Sequence, residues 1–584
     1  CNMYEKKIQE LGGIGFFLGG IGPDGHIAFN VRGSDHNSTT RLTQTNFETQ
    51  AAAAVDLGGI EISRNRLVIT IGLGTITYNK NATTIIIAAG EAKAPIVQKS
   101  IESEQNIMYP ASSLQKLANS RFYITEGAAK KLRDVKNSYW MESPWDIRKK
   151  QKALLKLSKD KQTFGKKLTV DDFKKEKLFK SCQNLNKNTI SKIIDSIDKK
   201  VQHGIKSERN QIYYHTGPHH DDIMLGMMPH IIHLVREPTN KHIFTNMTSG
   251  FTSVTNSFLI EIIKKTIDFI QRNRVRMINY PDFFSNGYKL KRDKDVYHYL
   301  DRIADNDVNG QQRGLCHRVV RSYVEIFNVK STKQLTAKLR LTIDELEKCY
   351  EGEKNSVSVQ KLKGMIREFE EELVWANYGV RVRDVHHLRL GFYKGDMFTE
   401  QPQKTRDVKP ILDQLKKIKP TVISLALDPE GSGPDTHYKV LQSIAEAVRI
   451  WGETTDLSGL RIWGYRNVWY RFDMDEADLI VPVTLNSMAI MHSTFMNCYL
   501  SQKEASFPSY DYDGPFSKLS QKIWVEQHRD LQLVLGRDYW YRNPNPHLRA
   551  VHGAVYLKEM NVESFLNISR RLEESTEDSI IFKN

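Results

Sequence analysis

The sequence predicts an α/β protein with two open parallel-sheet domains joined by a basic helical connector, the second domain carrying a helical insertion. Three observations predict it. Residues 1–128 alternate strand-like runs (14–18, 66–71, 84–88) with helix-like stretches (46–57, 92–102), the pattern of an open sheet with helical crossovers. Residues 129–207 form a lysine-rich run of helical spacing, with Arg148-Lys149-Lys150, Lys174-Lys175 and Lys199-Lys200, punctuated by Pro144 and Gly165. Residues 208–584 return to strands at 211–214, 242–246, 382–390 and 421–427, and a polar block of helical period fills 288–359 as an insertion or lid. Both sheet regions are therefore expected to be Rossmann-like.

Composition narrows the class. In 584 residues, 40% hydrophobic and 26% charged, there is material for several globular units. The sequence has no apolar run of about 18 residues and no basic-apolar-small leader, so a cytoplasmic protein without a membrane partner is expected. Cys1, Cys182, Cys316, Cys349 and Cys498 are scattered without a C-x-x-C pair and read as reduced thiols. A chain starting at Cys1 is expected to begin inside a longer protein. The net charge of +15 opens a nucleic-acid reading, marked by affinity that falls steeply with salt. Acids interspersed among the lysines favour a solvated connector instead, and no nucleic-acid partner is expected. A homo-oligomer remains open.

The first chemical motif is Phe16-Phe17-Leu18-Gly19-Gly20-Ile21-Gly22-Pro23-Asp24-Gly25-His26-Ile27-Ala28-Phe29-Asn30. It contains a formal G-x-G-x-x-G at Gly20, Gly22 and Gly25, but a dinucleotide site needs a helix to open there, and the residues after Gly25 read as loop. The glycines instead allow backbone to approach a ligand while Asp24 and His26 project beside it. An imidazole near its ordinary pKa can both accept and donate a proton at neutral pH. The alternative is that Asp24 and His26 only satisfy loop hydrogen bonds.

Together with Thr40-Arg41, Thr70-Ile71-Gly72-Leu73-Gly74-Thr75 and Gly90-Glu91-Ala92-Lys93, this run resembles glucosamine-6-phosphate deaminase over about residues 4–121. The resemblance implies that His26 transfers the ring-opening proton, that Asp24 orients it, and that Lys93 contacts the substrate phosphate at a helix N-terminus. Gly22, Gly25 and Arg41 are implied as further substrate contacts, and no cofactor is implied for this part. Two departures stand out. Val31 replaces the acid that follows the motif's asparagine, and the family's first half, with its general base and a phosphate loop, would precede Cys1.

The second motif is Gly217-Pro218-His219-His220-Asp221-Asp222, between a strand-like run and the apolar stretch 224–234. Imidazoles and carboxylates on a strand-to-helix turn face the crevice at a sheet's carboxyl edge, where a hydrolytic metal needs three ligands and an open water position. His219 and Asp222 could come from this turn, and Asp221 could accept a proton. His437, after the strand at 421–427, offers a third ligand. The bland alternative is that Asp221 or Asp222 caps the helix starting near Met224 while the histidines pack locally. His386-His387 reads as structural, with a reserve ligand role, and His492 as core.

This layout resembles the LmbE-like, or PIG-L, zinc deacetylases of N-acetylglucosamine-type sugars from about 212 to 502, with Thr248-Ser249-Gly250, the helix 367–379 and Ser501-Gln502 as further landmarks. The resemblance implies Zn²⁺ held by His219, Asp222 and His437, with Asp221 as general base. Ile223 departs from the family's final motif acid, and Pro434 stands opposite the histidine that stabilises the tetrahedral intermediate. Two functions are therefore carried forward. One is an amino-sugar enzyme joining a zinc N-deacetylase-like module to a deaminase-like module, with an amino-sugar phosphate or N-acetylated sugar as substrate. The other is a sugar-phosphate-binding regulatory or scaffold protein that has lost catalysis.

Overall fold

The structure is a computed structural model that describes all residues except 47–48, 51–66, 143, 396–399, 433, 469, 504–505, 508–513, 577–581 and 583–584. After a first helix, Asn2–Glu10, come β1 (Phe16–Gly20), β2 (Arg41–Gln44), β3 (Leu67–Thr70), β4 (Thr83–Ala88) and β5 (Asn119–Ile124). β1, β4 and β5 form a parallel sheet in the order β1-β4-β5, and β2 and β3 pair as an antiparallel ribbon. The β-branched run Thr83-Thr84-Ile85-Ile86-Ile87 suits the central strand. Most of the helix expected at 46–57 lies outside the described residues.

One face of this sheet, through Ile86 and Ala88, packs with Ile96 and Val97 of the helix Ala94–Glu102 and with Ile21, Ile27 and Leu114. The opposite face leaves Phe16, Leu18, Ile87 and Tyr123 at 59%, 57%, 54% and 61% exposure. Parallel sheets are ordinarily covered on both faces. Among the described residues, only one face of this sheet is covered.

The larger sheet comprises β6 (Ile212–Gly217), β7 (Lys241–Asn246), β8 (Val385–His387), β9 (Val422–Ala426), β10 (Arg461–Tyr465), β11 (Leu479–Thr484) and the final strand. A short ribbon of β12 (Ser506–Phe507) and β13 (Gly514–Pro515) precedes that last strand, β14 (Val551–Met560). The order is β11-β14-β10-β9-β6-β7-β8, and β14 runs antiparallel to both its neighbours. The expectation of an all-parallel second sheet is corrected here: the sheet is mixed. Alternation of residue types marks a strand but not its direction, which is set by where the preceding helices leave the chain. The strand expected over 382–390 is also shorter, a 3₁₀ turn at Val382–Asp384 leading into β8.

Successive residues of the strands face two cores. Tyr213, Phe244, Trp463 and Val481 pack on one side with helices that include Asp222–Val235 and Val357–Asn377. Tyr214, Ile243, Ile462 and Ile480 pack on the other with Leu154, Leu157, Ile193, Ile197 and Val201. The lysine-rich region thus supplies the helices Ile147–Asp160 and Thr189–Ile205 as a layer over the sheet rather than a free solvated connector. The 288–359 block folds as the helices Arg292–Ala304, Val308–Phe327 and Thr332–Lys348, packed through Tyr299, Val320 and Leu339 into the first of these cores.

Strand order places the site. β6 has β7 on one side and β9 on the other, so connections leave β6 and β9 to opposite sides and open a crevice at their carboxyl ends. The His219 turn follows β6, and His437 lies beyond β9.

Several histidines are sealed in these cores. His215 lies 3.0 Å from His242 and 2.8 Å from Ser424 Oγ, and His230 packs against Trp463. Burial pushes His230 down to about 3 and His242 and His528 down to about 4. The unfolded chain, with histidines near the usual ~6.5, binds more protons below that pH, so the stability these groups contribute is full above it and lost as pH falls towards 4. Through these histidines, urea midpoints should therefore drop between about pH 6.5 and 4. A midpoint unchanged across that window would show that these imidazoles are not held neutral.

Candidate functional site

β6 ends at Gly217, and the next helix begins at Asp222, so His219, Asp221 and Asp222 sit on the turn between them. Asp221 makes no side-chain cap. Asp222 instead turns inward, its Oδ2 accepting from the His219 backbone N–H at 2.7 Å and its Oδ1 from Asn467 Nδ2 at 2.6 Å. His437, in the first turn of the helix Asp435–Gly452, comes to meet it.

Three donor atoms converge: His437 Nε2 to Asp222 Oδ2 is 3.2 Å, His219 Nδ1 to His437 Nε2 is 3.3 Å, and His219 Nδ1 to Asp222 Oδ2 is 3.5 Å. Ligands about 2.0–2.1 Å from a tetrahedral ion stand about 3.3–3.4 Å apart, so the triangle has the edge such an ion requires. Asp428 Oδ2 lies 2.6 Å from His437 Nδ1 and accepts its proton, which leaves Nε2 facing the other two donors. Burial works against charge on Asp222, but His437 and His219 outweigh it and hold the carboxylate well below its usual range. Burial likewise opposes charging His437, yet Asp222 and Asp428 push it up to about 10. Asp222 and Asp428 thus keep His437 protonated across neutral pH.

Asp221 lies beside this cluster, its Oδ1 3.6 Å from an Arg367 guanidinium nitrogen. Burial pushes its carboxyl up, against the pull of Arg367. Arg367 donates to Glu370 Oε2 at 2.6 Å, and Glu370 Oε1 accepts from the Ser501 backbone N–H at 2.6 Å. Tyr499 Oη is 2.6 Å from both the His220 carbonyl and Glu371 Oε2. A single phenolic proton cannot serve both. Burial pushes Glu371 up to about 8, so the neutral acid donates to Tyr499, which donates to His220 and fixes the turn from below. His220 is itself buried, held neutral by burial, with Gly250 (φ +58) packed so closely that a Cβ there would lie 2.9 Å from its Nδ1.

The remaining expected groups lie apart. His386 Nδ1 is 3.2 Å from Gln414 Oε1, and His387 sits 3.8 Å from Glu372, so neither joins the three donors. His492 is only half-buried, beside Ser517 at 2.9 Å, rather than core. Ile223 is wholly buried in the apolar core, and Pro434 precedes the helix of His437.

The N-terminal constellation is held by its glycine loop. Gly22 N–H donates to the His26 carbonyl at 2.9 Å, and any Cβ on Gly22 would fall 1.9 Å from the His26 ring. Asp24 Oδ1 lies 2.6 Å from His26 Nδ1, and its Oδ2 accepts from Arg32 N–H at 2.8 Å and Asn46 Nδ2 at 2.6 Å. Burial opposes the charge on Asp24, but these bonds, led by His26, bring it down to about 2. The carboxylate therefore accepts a hydrogen bond from His26 Nδ1–H and leaves Nε2 outside this bond. Lys93 Nζ donates to the Ile21 carbonyl at 2.7 Å, and burial lowers it to about 8 against the pull of Asp24. Arg41 donates to Asn30 Oδ1 at 2.8 Å and Ser34 Oγ at 3.1 Å. Asp24, His26 and Lys93 are thus gathered by one loop, and Arg41 is tied to the asparagine that ends the motif.

Sequence reading missed the partners. Asn46 and Thr49, the latter 3.1 Å from His26 Nδ1, come from a separate segment without a local signal. Asp428 was visible as an acid following a buried strand, whereas Asn467 and the Arg367–Glu370 pair carried no spacing that ties them to the turn.

No family model matches the chain. A glucosamine-6-phosphate deaminase-like protein of Bacteroides thetaiotaomicron is 24% identical over 536 residues, 88% of this chain and 71% of that protein. Glucosamine-6-phosphate deaminase 2 of Bos taurus is 39% identical over 133 residues, 23% of this chain and 48% of the enzyme, and that of Homo sapiens is 38% identical over the same length. A solved monomeric glucosamine-6-phosphate deaminase of the NagB superfamily is 31% identical, covering 22% of this chain and 53% of that one with a TM-score of 0.21. The chain spans about half the length of the deaminases it matches. Its N-terminal region is glucosamine-6-phosphate deaminase-like.

Removing the Arg367 charge should leave Glu370 and Asp221 buried without their cation. Arg367→Met is expected to lower unfolding free energy by about 3–5 kcal/mol in urea denaturation. A loss under about 1 kcal/mol would show that this network is solvated.

Proposed function

We propose that this chain acts in amino-sugar metabolism, its N-terminal region contributing to a glucosamine-6-phosphate deaminase-like site and its larger sheet forming a zinc-dependent N-deacetylase-like hydrolase of an N-acetylated amino sugar. The observation that carries the hydrolase half is the meeting of His219, Asp222 and His437 donor atoms within 3.5 Å, with Asp221 alongside. Similarity to the deaminases supports the amino-sugar half.

Zn²⁺ held by the three donors would polarise an amide carbonyl and bring a water pKa down to about 7. Asp221 would take the proton from the attacking water and pass it to the departing amine. Asp428 fixes the His437 tautomer, and Asn467 fixes the rotation of Asp222. Acetate and a free amino sugar would result. In the deaminase-like region Asp24 orients His26, whose Nε2 would carry the ring-opening proton, and Lys93 would face the phosphate. The order is chemically natural, because deacetylation exposes the amine that the second chemistry releases as ammonia.

A binding protein without catalysis is the second reading. It is favoured by Val31 and Pro434, which stand where the resemblances place an acid and a histidine, and by Ile223, which is sealed in the core.

Metal analysis and an acetate assay separate them. The full chain should hold one equivalent of zinc and release acetate from N-acetylglucosamine or its 6-phosphate. Asp222→Ala should lose the metal, while Asp221→Asn should keep it and lose at least about 100-fold in kcat. Metal-free protein that still binds sugar phosphate would establish the second reading.

A further inference from the structure

A cavity of about 210 Å³ lies beside the His437 turn, and its lining includes Asp428, Pro429, Glu430, Pro434, Leu441 and Leu572. Its walls come from the segment that leaves β9, from the helix Asp435–Gly452 and from the last helix, Val562–Ser575. That segment is anchored on the N-terminal region, where the Glu430 carbonyl accepts from Glu91 N–H at 3.3 Å and Ser432 Oγ accepts from Ala92 N–H at 3.1 Å. The cavity is thus bounded by the stretch of chain that touches both constellations. It is smaller than the ~300–1,000 Å³ of pockets for drug-sized ligands, which suits a single small ring.

Two of the lining carboxylates each carry an oxygen that is shut off from solvent and accepts from no donor, Asp428 Oδ1 and Glu430 Oε1. The Asp428 side chain is only 8% exposed, and its other oxygen is taken by His437 Nδ1 at 2.6 Å. Asp435, on the same wall, is already paired with Lys439 at 2.7 Å. Among the described residues no Lys, Arg or His pairs with Glu430. A carboxylate oxygen withdrawn from water is costly until a donor meets it, so these two call for a cationic donor in the cavity. They are not arranged for a metal ion: among the described residues, the side chains that could together hold one are His219, Asp222 and His437. A primary ammonium brings three N–H donors and one positive charge, and its bonds to carboxylates are the strong, charge-assisted kind. Pro429, Pro434, Leu441 and Leu572 supply apolar wall for the C–H edges of a ring that carries it.

We propose that this cavity binds a small ring bearing a primary ammonium, an amino sugar in its deacetylated form, with Asp428 and Glu430 as the acceptors of the ammonium. The proposal deepens the amino-sugar reading and rests on it for the choice of ring, whereas the preference for an ammonium rests on the cavity. A free amine produced by the hydrolase half would thus be held beside the segment that leads to the deaminase-like loop.

Calorimetric titration of the full chain at pH 7 with glucosamine, and with glucose in parallel, tests it. Glucosamine should bind at least about ten-fold more tightly than glucose, the effect of one charge-assisted hydrogen bond. Glu430→Gln should remove about ten-fold from glucosamine affinity and leave glucose unchanged, and Leu572→Trp, which fills the cavity, should abolish glucosamine binding. Melting curves like that of wild type establish that each variant is folded. Equal affinities for the two sugars, glucosamine binding undiminished in both variants, or no glucosamine binding at all, as for a cavity that holds only water, would each overturn the proposal. Acetate release from N-acetylglucosamine reads the hydrolase separately. Release without glucosamine binding would remove this proposal alone, and glucosamine binding without release would leave it standing and remove the hydrolase.

Discussion

Burial of the Asp222 carboxylate between two imidazoles, at the carboxyl end of a central strand, is the constraint to which the surrounding structure answers. A carboxylate removed from water is costly unless it is paired and hydrogen-bonded. Every nearby element supplies part of that compensation: the His219 amide, the Asn467 side chain, and His437 backed by Asp428. These partners come from three separate stretches of the chain, with Asp428 and His437 on one of them. The order of β6, β9 and β10 in the sheet is what brings them together.

A second buried network supports the first from the opposite side. Arg367, Glu370, Glu371 and Tyr499 tie the long helix Val357–Asn377 to Ser501 and to the backbone of the His219 turn. Glu371 is kept neutral by burial, so it can donate where a carboxylate could only accept. The helical insertion that precedes this helix packs on the same core, and it therefore bears on the rigidity of the turn without touching it.

The junction between the N-terminal region and the larger sheet is small-residue backbone against backbone, Gly90 against Gly431, rather than an apolar patch. Beside it, on the N-terminal side, Lys130 pairs with Glu91. Contacts of this kind fix register strongly, because a single Cβ has no room, while adding little apolar area. That combination suits an interface that sets the relative position of two loops.

The local chemistry was legible in the primary order. Glycines spaced around Asp24 and His26 require close backbone approach, as the 1.9 Å encounter of a Gly22 Cβ with the His26 ring demonstrates, and a His-His-Asp-Asp run after a strand lands on a turn because apolar residues resume directly afterwards. The α/β alternation and the helical spacing of residues 288–359 were readable for the same reason, since side-chain periodicity is a local property. The direction of β14, the packing of the lysine-rich helices onto the sheet, and the partners Asn46, Thr49, Asn467 and Arg367 were decided only by the tertiary structure. Each depends on which strands become neighbours, and that is settled by burial summed over residues hundreds of positions apart rather than by any short pattern.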